Sequence, residues 1–393
     1  MKIGFFSDTY FPQVSGVSTS IKTLKEGLEK SGHQVYIFTT SDPAAEPSEE
    51  QIIRLPSIPF WSFKDRRIAI SGKKKALKIA RELQLDVVHT QTEFSLGFVG
   101  KYVAEKMNLP HLHTYHTMYE DYLHYIAGGK MLRPQHVAYL SRYFCNSADG
   151  IIAPSSKVEK QLHQYGVTSQ IKIIPTGVDL EKFSRQSEGR DVRAELGIAD
   201  HQPMILSLSR LSKEKNIEAI LKSMPKILKT QPKAMFVIVG DGPQKEELEM
   251  LAKELDVSHA VIFTGEKKSD EVRDYYTAAD VFVSASSSES QGLTYIEAIS
   301  SGTSIVAKLS NYTQSLVGPK GELGSLFVKD DSLAEVILNQ LSRKVSGEEQ
   351  KKFKKILLNE ISSDTFSERV LFFYEKAAEL YKEAPFMQMA NIS

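Results

Sequence analysis

Short apolar runs recur along the chain, each followed by a polar turn and a longer stretch with helical spacing. The first half contains KIGFFSD (2–8), VYIFTT (35–40), DVVHT (86–90), PHLHTYH (110–116), GIIAP (150–154) and IKIIP (171–175). The second half contains MILSLSR (204–210), MFVIVGDG (235–242), VIFTG (261–265), VFVSAS (281–286), TSIVAK (303–308) and SLFVKD (325–330). Most of these runs are nearly continuous in apolar residues, the pattern of strands covered on both faces. Ser18–Lys30, Asn216–Lys229 and Gln244–Leu255 read as helices between them. Two successive series of β-α units predict an α/β protein with two open parallel sheets. Polar SRQSEGRD (184–191) reads as the linker, giving a first domain over residues 1–185 and a second over 190–365. The last helix, about Phe366–Lys382, carries Phe366, Val370, Phe373 and Ala377 at helical spacing. It follows the last predicted strand, so segment 366–393 is free to pack on either domain, including back on the first.

The 393 residues fit two domains of ordinary size. Hydrophobic content of 41% and charged content of 25% exclude a disordered chain, a collagen-like chain and a disulfide scaffold. A lone cysteine, Cys145, has no partner for an internal disulfide, so a cytoplasmic location is expected. The start, MKIGFFSDTYFP, reads as a buried first strand and not as a signal peptide. No stretch approaches the ~20 apolar residues of a membrane-spanning helix, so any membrane contact is expected to be peripheral.

The 49 basic and 49 acidic side chains cancel, which at face value disfavours nucleic acid and membrane surfaces. The zero is a cancellation between halves. Residues 1–190 hold 24 Lys and Arg against 19 Asp and Glu, and residues 191–393 hold 25 against 30. Within the first half, residues 54–81 hold nine basic groups and a single acid, Asp65.

Ligands of open α/β sheets sit beyond the carboxyl ends of the strands. With two such domains, a cleft between them is the expected site. After the first strand, SDTYFPQVSGVSTSIKTL places Gly16 in a loop before a helix starting near Ser18. Helix-start amides hold phosphate, and glycine lets it approach, although a plain β-α turn needs no ligand. Neither G-x-G-x-x-G nor G-x-x-x-x-G-K-[ST] occurs, which disfavours a dinucleotide oxidoreductase and a P-loop enzyme.

After the strand at 204–208, SRLSKEKN sets Arg210 and Lys215 around a loop. Two cations at a strand end suit a diphosphate, with a solvated charged loop as the alternative. After the strand at 281–285, SSSESQGLTYIEAIS carries Glu289 in the loop and Glu297 in the following helix. Such carboxylates accept bonds from sugar and ribose hydroxyls. A surface pair or a general acid/base pair remains open. The amides from Gly292 to Tyr295, Leu293 and Thr294 among them, lie at the helix start and can hold a phosphate.

After the strand at 110–114, HTYHTMYEDYLHYI brings His113, His116, Glu120, Asp121 and His124 close in sequence. On a helix His116 and Glu120 would be i, i+4, as would Glu120 and His124, so a metal is considered. H-E-x-x-H is absent, and a structural histidine is the equal alternative. No D-x-D triplet occurs, and no metal or other cofactor is expected. Arg210 and Lys215 would supply the positive charge instead.

The Gly16 loop, SRLSKEKN and ESQGLTYIE, in this order across two Rossmann-like halves, resemble glycosyltransferase family 4 with the GT-B fold over nearly the whole chain. HTYHTMYEDYLHYI is similar to the bacterial diacylglycerol glucosyltransferases within it. The resemblance implies UDP-glucose as donor, 1,2-diacylglycerol as acceptor, retention at the anomeric carbon, and a place in glycolipid and lipoteichoic acid anchor synthesis. It implies that Gly16 lies against the donor diphosphate and His116 by the transferred sugar. Arg210 and Lys215 would bind the diphosphate, Glu289 the sugar hydroxyls and Glu297 the ribose. One departure is VSGV, where many relatives carry two adjacent glycines and Ser15 stands at the first.

A lipid acceptor bears on the basic segment. Phe60, Trp61 and Phe63 precede Arg66 and Arg67, and GKKKALKIAREL sets Ala76, Ile79, Ala80 and Leu83 on one helical face. Lys73, Lys74, Lys75, Lys78 and Arg81 flank that face, a pattern suited to an anionic membrane surface. The alternative is an ordinary amphipathic helix with a solvated basic face. Nucleic acid is disfavoured because the aromatics cluster and the rest of the chain is neutral to acidic. The expected location is thus cytoplasmic, on the inner face of the cell membrane. The rival readings are the same catalyst with a soluble acceptor, and a non-catalytic nucleotide-sugar-binding scaffold. The oligomeric state is not readable from the sequence.

Overall fold

Each predicted apolar run becomes a strand of one of two parallel sheets in the computed structural model. The structure describes all residues except 14, 47–49, 61–62, 119, 121–132, 185–190, 269–270, 287–288, 344–347 and 391–393. It also leaves out the side chains of residues 63–66, 181, 184, 349–350 and 382–390. The chain divides into two units, residues 1–177 with 361–393, and residues 178–360.

The first unit runs β1 (Lys2–Phe6), α1 (Gly16–Lys30), β2 (Gln34–Thr40), β3 (Ile52–Leu55), β4 (Ser57–Phe60), β5 (Phe63–Ala69), α2 (Lys73–Leu83), β6 (Val87–Thr90), α3 (Ser95–Met107), β7 (His111–Thr114), α4 (Pro134–Cys145), β8 (Gly150–Ala153), α5 (Ser156–Gln164) and β9 (Ile171–Ile173). Its main sheet has the order β3-β2-β1-β6-β7-β8-β9, all parallel. The strand order reverses between β1 and β6, which makes the loops leaving those two strands the natural ligand crevice of this unit. β3 and the antiparallel hairpin β4–β5 were not predicted. They lie in the stretch read as an aromatic and basic cluster. β3 (IIRL) and β4 (SIPF) are only four residues long and β5 (FKDRRIA) carries four consecutive charges, as edge strands and two-stranded ribbons permit.

The second unit runs α6 (Leu180–Ser184), α7 (Val192–Glu195), β10 (Met204–Leu208), α8 (Ile217–Thr230), β11 (Met235–Val239), α9 (Lys245–Glu254), β12 (Val261–Gly265), α10 (Val272–Ala278), β13 (Val281–Ser284), α11 (Leu293–Ser300), β14 (Ser304–Lys308), α12 (Asn311–Val317), β15 (Gly324–Phe327), α13 (Leu333–Ser342) and α14 (Glu348–Glu360). The sheet order is β12-β11-β10-β13-β14-β15, with its reversal between β10 and β13.

The division falls at Gly177, eight residues before the predicted 185. Gly177 sits so close to Phe366 and the Ser362–Ser363 backbone that an added Cβ would clash with both. Val178 and Phe183 are buried in the second unit, where the Phe183 ring meets Tyr276. Residues 185–190 of the predicted linker lie outside the described residues. The last helix, α15 (Ser363–Ala390), begins three residues before Phe366 and packs on α1. Phe366, Val370, Phe373, Tyr374 and Ala377 are buried with Ile3, Phe5, Ile21 and Leu24. Burying side chains of this size contributes ~1.5–3 kcal/mol each, enough to hold the chain's end on the first unit.

Candidate active site

The first unit gathers polar side chains where β1, β6 and β7 end. The helix α1 starts at Gly16, two residues earlier than predicted, because Ser15 takes the N-cap position. The Ser15 hydroxyl accepts the Ser18 amide at 3.1 Å, and the Ser18 hydroxyl donates to the Gln13 carbonyl at 2.7 Å. Ser15 therefore caps α1, which a glycine at this position could not do through a side chain. A Cβ added at Gly16 would meet nothing within 4 Å, so open space lies in front of the helix start.

Asp8, also beyond β1, is buried. Thr92 and Ser95 donate hydroxyl bonds to its carboxylate, and the Leu96 amide bonds it at 3.1 Å. Burial raises its pKa against the lowering effect of these donors. The carboxylate thus fastens the β1 loop to the start of α3.

His116 does not lie on a helix. Residues 115–118 are irregular, because the Tyr115 amide continues the β7 pairing by bonding the Ile152 carbonyl at 3.0 Å. The predicted i, i+4 relation of His116 with Glu120 therefore fails, and Asp121 and His124 lie outside the described residues. His113 is fully buried, with Nε2 2.9 Å from Glu93 Oε1 and Nδ1 3.0 Å from the Thr90 carbonyl oxygen. It does not stand at a domain edge. His116 Nε2 lies 2.7 Å from Gln91 Oε1. Burial, and secondarily His113, lower the His116 pKa to about 3. His116 is therefore a neutral imidazole at physiological pH, able to exchange hydrogen bonds but carrying no charge.

In the second unit the loops leaving β10 and β13 come together. Lys215 Nζ donates to Glu289 Oε1 at 2.6 Å, both side chains being about one-fifth exposed. The Ser286 hydroxyl donates to the Glu214 carbonyl at 3.3 Å, tying the same two loops. Arg210 is exposed at the end of β10. Gly292 precedes α11 with φ of 69°, and a Cβ there would fall 2.6 Å from the Tyr295 ring. Glycine is thus required both by conformation and by space. The N-cap residue Gly292 has no side chain to cap this helix, and the amides of Leu293 and Thr294 head a helix start at the strand-order reversal.

Glu297 lies one turn further on. The Tyr276 hydroxyl donates to its Oε2 at 2.9 Å. Burial raises the Glu297 pKa, while Tyr276 and the Lys182 charge act to lower it. Arg210, Lys215, Glu289, Leu293, Thr294 and Glu297 therefore share the carboxyl end of the second sheet, and Gly16 and His116 that of the first. Among the described residues no group of three or more His, Cys, Asp or Glu side chains is placed to hold a metal ion.

The predicted membrane segment is an amphipathic helix joined to a hairpin. Ala76, Leu77 and Ala80 of α2 are buried, so Leu77 belongs to the inner face that the sequence reading set around Ala76, Ile79, Ala80 and Leu83. Lys74, Lys75 and Lys78 are exposed. Lys73 Nζ stands 3.8 Å above the Tyr102 ring. Arg67 is engaged inside the hairpin, donating to the Ser57 hydroxyl at 2.9 Å and the Ser57 carbonyl at 2.8 Å. Trp61 and the side chain of Arg66 lie outside the described residues. No helix among the described residues is long and apolar enough to cross a membrane.

His89, Gln91, Glu93 and Asp8 were not singled out from the sequence, nor was Tyr276. The strand-end rule reaches the first four when applied to DVVHTQTE and KIGFFSD as it was to the other runs. Tyr276 gave no such signal, because it approaches Glu297 from a helix remote in sequence.

Comparison with known proteins bears on the family and the fold. The family model described as Glycosyltransferase Family 4 matches residues 14–182, and that described as Glycosyl transferases group 1 matches residues 189–357. The alpha-monoglucosyldiacylglycerol synthase of Streptococcus pneumoniae is 48% identical over 379 residues, 95% of this chain and 85% of that protein. The enzyme of the same name from Acholeplasma laidlawii is 34% identical over 354 residues, 86% of this chain and 88% of that protein. The Anabaena HepE structure in complex with UDP and glucose superposes with a TM-score of 0.78 at 19% identity, covering 96% of this chain and all of that one, a likeness of fold. With two Rossmann-like units and these matches along both of them, the chain belongs to glycosyltransferase family 4 and has the GT-B fold.

Proposed function

We propose that this glycosyltransferase moves glucose from UDP-glucose to 1,2-diacylglycerol with retention, giving α-monoglucosyldiacylglycerol for glycolipid and lipoteichoic acid anchor synthesis. The observation that carries the reading is the 48% identity to the pneumococcal synthase along 95% of the chain. The cation-and-carboxylate arrangement at the reversal of the second sheet supports it.

Breaking the bond between sugar and phosphate develops positive charge on the sugar and negative charge on the diphosphate. In this reading Arg210, Lys215 and the amides of Leu293 and Thr294 stabilise the departing UDP. Such groups are most effective when already oriented before the charge appears. The Lys215–Glu289 contact keeps the ammonium oriented. Glu289 is assigned to hydroxyls of the donor sugar, and Glu297, braced by Tyr276, to the ribose. Gly16 leaves room for the diphosphate, and neutral His116 meets the transferred sugar as a hydrogen-bonding group. The acceptor hydroxyl attacks from the face the diphosphate leaves, and its proton passes to the departing phosphate oxygen.

The acceptor is membrane-bound, so the enzyme works as a peripheral protein on the inner face of the membrane. Lys73, Lys74, Lys75, Lys78, Arg66 and Trp61 are the contacts assigned to it. Each cation near an anionic surface contributes about 1 kcal/mol. Arg67 serves chiefly the hairpin that carries its neighbours. Proton NMR of the product from UDP-glucose and vesicle-borne diacylglycerol tests the stereochemistry. The account predicts an α-glucoside, and a β-glucoside would sink the front-face mechanism.

A further inference from the structure

Behind His116 runs a buried chain of hydrogen bonds that ends on the last helix. Gln91 Oε1 lies 2.7 Å from His116 Nε2, and Gln91 Nε2 lies 3.1 Å from His89 Nδ1. The same His89 Nδ1 lies 2.6 Å from the Tyr374 hydroxyl, and His89 Nε2 lies 2.7 Å from Thr114 Oγ1. His89 and Tyr374 are wholly buried, and Gln91 is nearly so. Among the described residues the Tyr374 hydroxyl has one hydrogen-bond partner, His89 Nδ1.

That last fact orders the protons. A buried tyrosine hydroxyl left without an acceptor loses its bonding to water with no return. Tyr374 must therefore donate to His89 Nδ1, which is then bare and takes no proton of its own. His89 carries its single proton on Nε2 and donates it to Thr114. Burial keeps His89 neutral, consistent with one donor and one acceptor nitrogen. Gln91 Oε1 facing the same bare nitrogen would set acceptor against acceptor, so the amide turns its N–H side toward His89 Nδ1 and shares that lone pair with Tyr374. Its carbonyl oxygen then faces His116 and can only accept.

We propose that Gln91, set by His89 and by Tyr374 of α15, is a positioning residue that holds His116 as the Nε2–H tautomer and so presents Nδ1 as a hydrogen-bond acceptor to the substrate. The proposal rests on the reading that His116 lies in the catalytic centre. It gives the chain's closing helix a part in the site, since α15 supplies the hydroxyl from which the proton order starts. Outer partners that fix the tautomer of a metal-ligating histidine matter about ten- to a hundredfold, and an effect of that order is expected for a histidine that must present one bare nitrogen to substrate.

The test is nitrogen NMR of the full-length protein labelled at histidine, with the His116 signals assigned by their loss in His116→Asn. The wild-type protein should show Nε2 protonated and Nδ1 bare at His116; the opposite pattern overturns the proposal whatever any variant does. Gln91→Leu should mix the two tautomers and lower kcat by about ten- to a hundredfold, with the donor KM changing far less. A folded Gln91→Leu protein with an unchanged His116 spectrum and kcat within about twofold of wild type also overturns it. Tyr374→Phe should act in the same direction as Gln91→Leu but more weakly. Tyr381→Phe removes another hydroxyl of α15, which bonds Asp149 at 3.0 Å outside this chain, and should leave the His116 signal alone. Full turnover in His116→Asn would instead refute the placing of His116 in the catalytic centre, separately from the tautomer result.

Discussion

At the scale of single residues the site is made of side chains held by other side chains. Glu297 is the clearest case. Burial disfavours its charge, and the Tyr276 hydroxyl is the largest influence in the other direction. Removing that hydroxyl by Tyr276→Phe should raise the Glu297 pKa further. In the ribose-binding role proposed for it, the carboxylate is then lost at higher pH, so the donor KM should begin to rise at a higher pH in the variant than in wild type as pH falls. Coincident KM–pH curves would count against the role given to Glu297. Lys215→Ala removes the ammonium that Glu289 orients and should lower kcat/KM by about a hundredfold or more, the usual cost of an oriented group that stabilises developing charge. The placing of Arg210, Lys215, Glu289 and Glu297 beyond strand ends was legible in the sequence because each follows an apolar strand in a loop or the next helix. Gln91 and His89 lie at the end of β6, within reach of the same strand-end rule, but their link to His116 appears only once the packing is known.

At the scale of elements, continuous apolar runs were readable as strands because parallel strands are covered on both faces. β3, β4 and β5 were not, since β3 and β4 are only four residues long, β5 carries a run of four charges, and they lie at an edge or in an isolated ribbon. His116 was set on a helix by spacing alone, whereas backbone pairing to β8 keeps Tyr115 extended. The α15 stripe was read correctly, and its packing partner is α1. Phe373 of that stripe is buried, with its ring against Gly150 at the start of β8. Phe373→Ala should therefore lower the stability of the first unit by about 3–5 kcal/mol. Urea unfolding would show this as an earlier transition of the first unit, and an unmoved transition would mean that α15 is not part of its core. On α2, replacing Lys74, Lys75 and Lys78 together by Gln should weaken binding to anionic vesicles by up to about a hundredfold in a co-sedimentation assay. The buried face of Ala76, Leu77 and Ala80 is untouched by that change, so vesicle binding equal to wild type would assign the basic face to solvent.

At the scale of the whole molecule, the charge balance of zero conceals an excess of basic groups in residues 1–190 and of acidic groups in residues 191–393. The basic excess is concentrated in residues 54–81, on elements of the first unit. The cation-and-carboxylate arrangement assigned to the donor lies in the second unit. The basic cluster suits the proposed anionic lipid surface, whereas the acidic excess offers an anionic donor no attraction, so the proposed binding of the diphosphate rests on the local cations Arg210 and Lys215. The central claim is the pairing of donor and acceptor. Its most direct measurement is incubation of the full chain with labelled UDP-sugars and diacylglycerol in anionic vesicles, with the lipid products identified by mass spectrometry. The account predicts labelled monoglucosyldiacylglycerol from UDP-glucose and little or none from the other donors. Absence of a labelled lipid from every donor would contradict it.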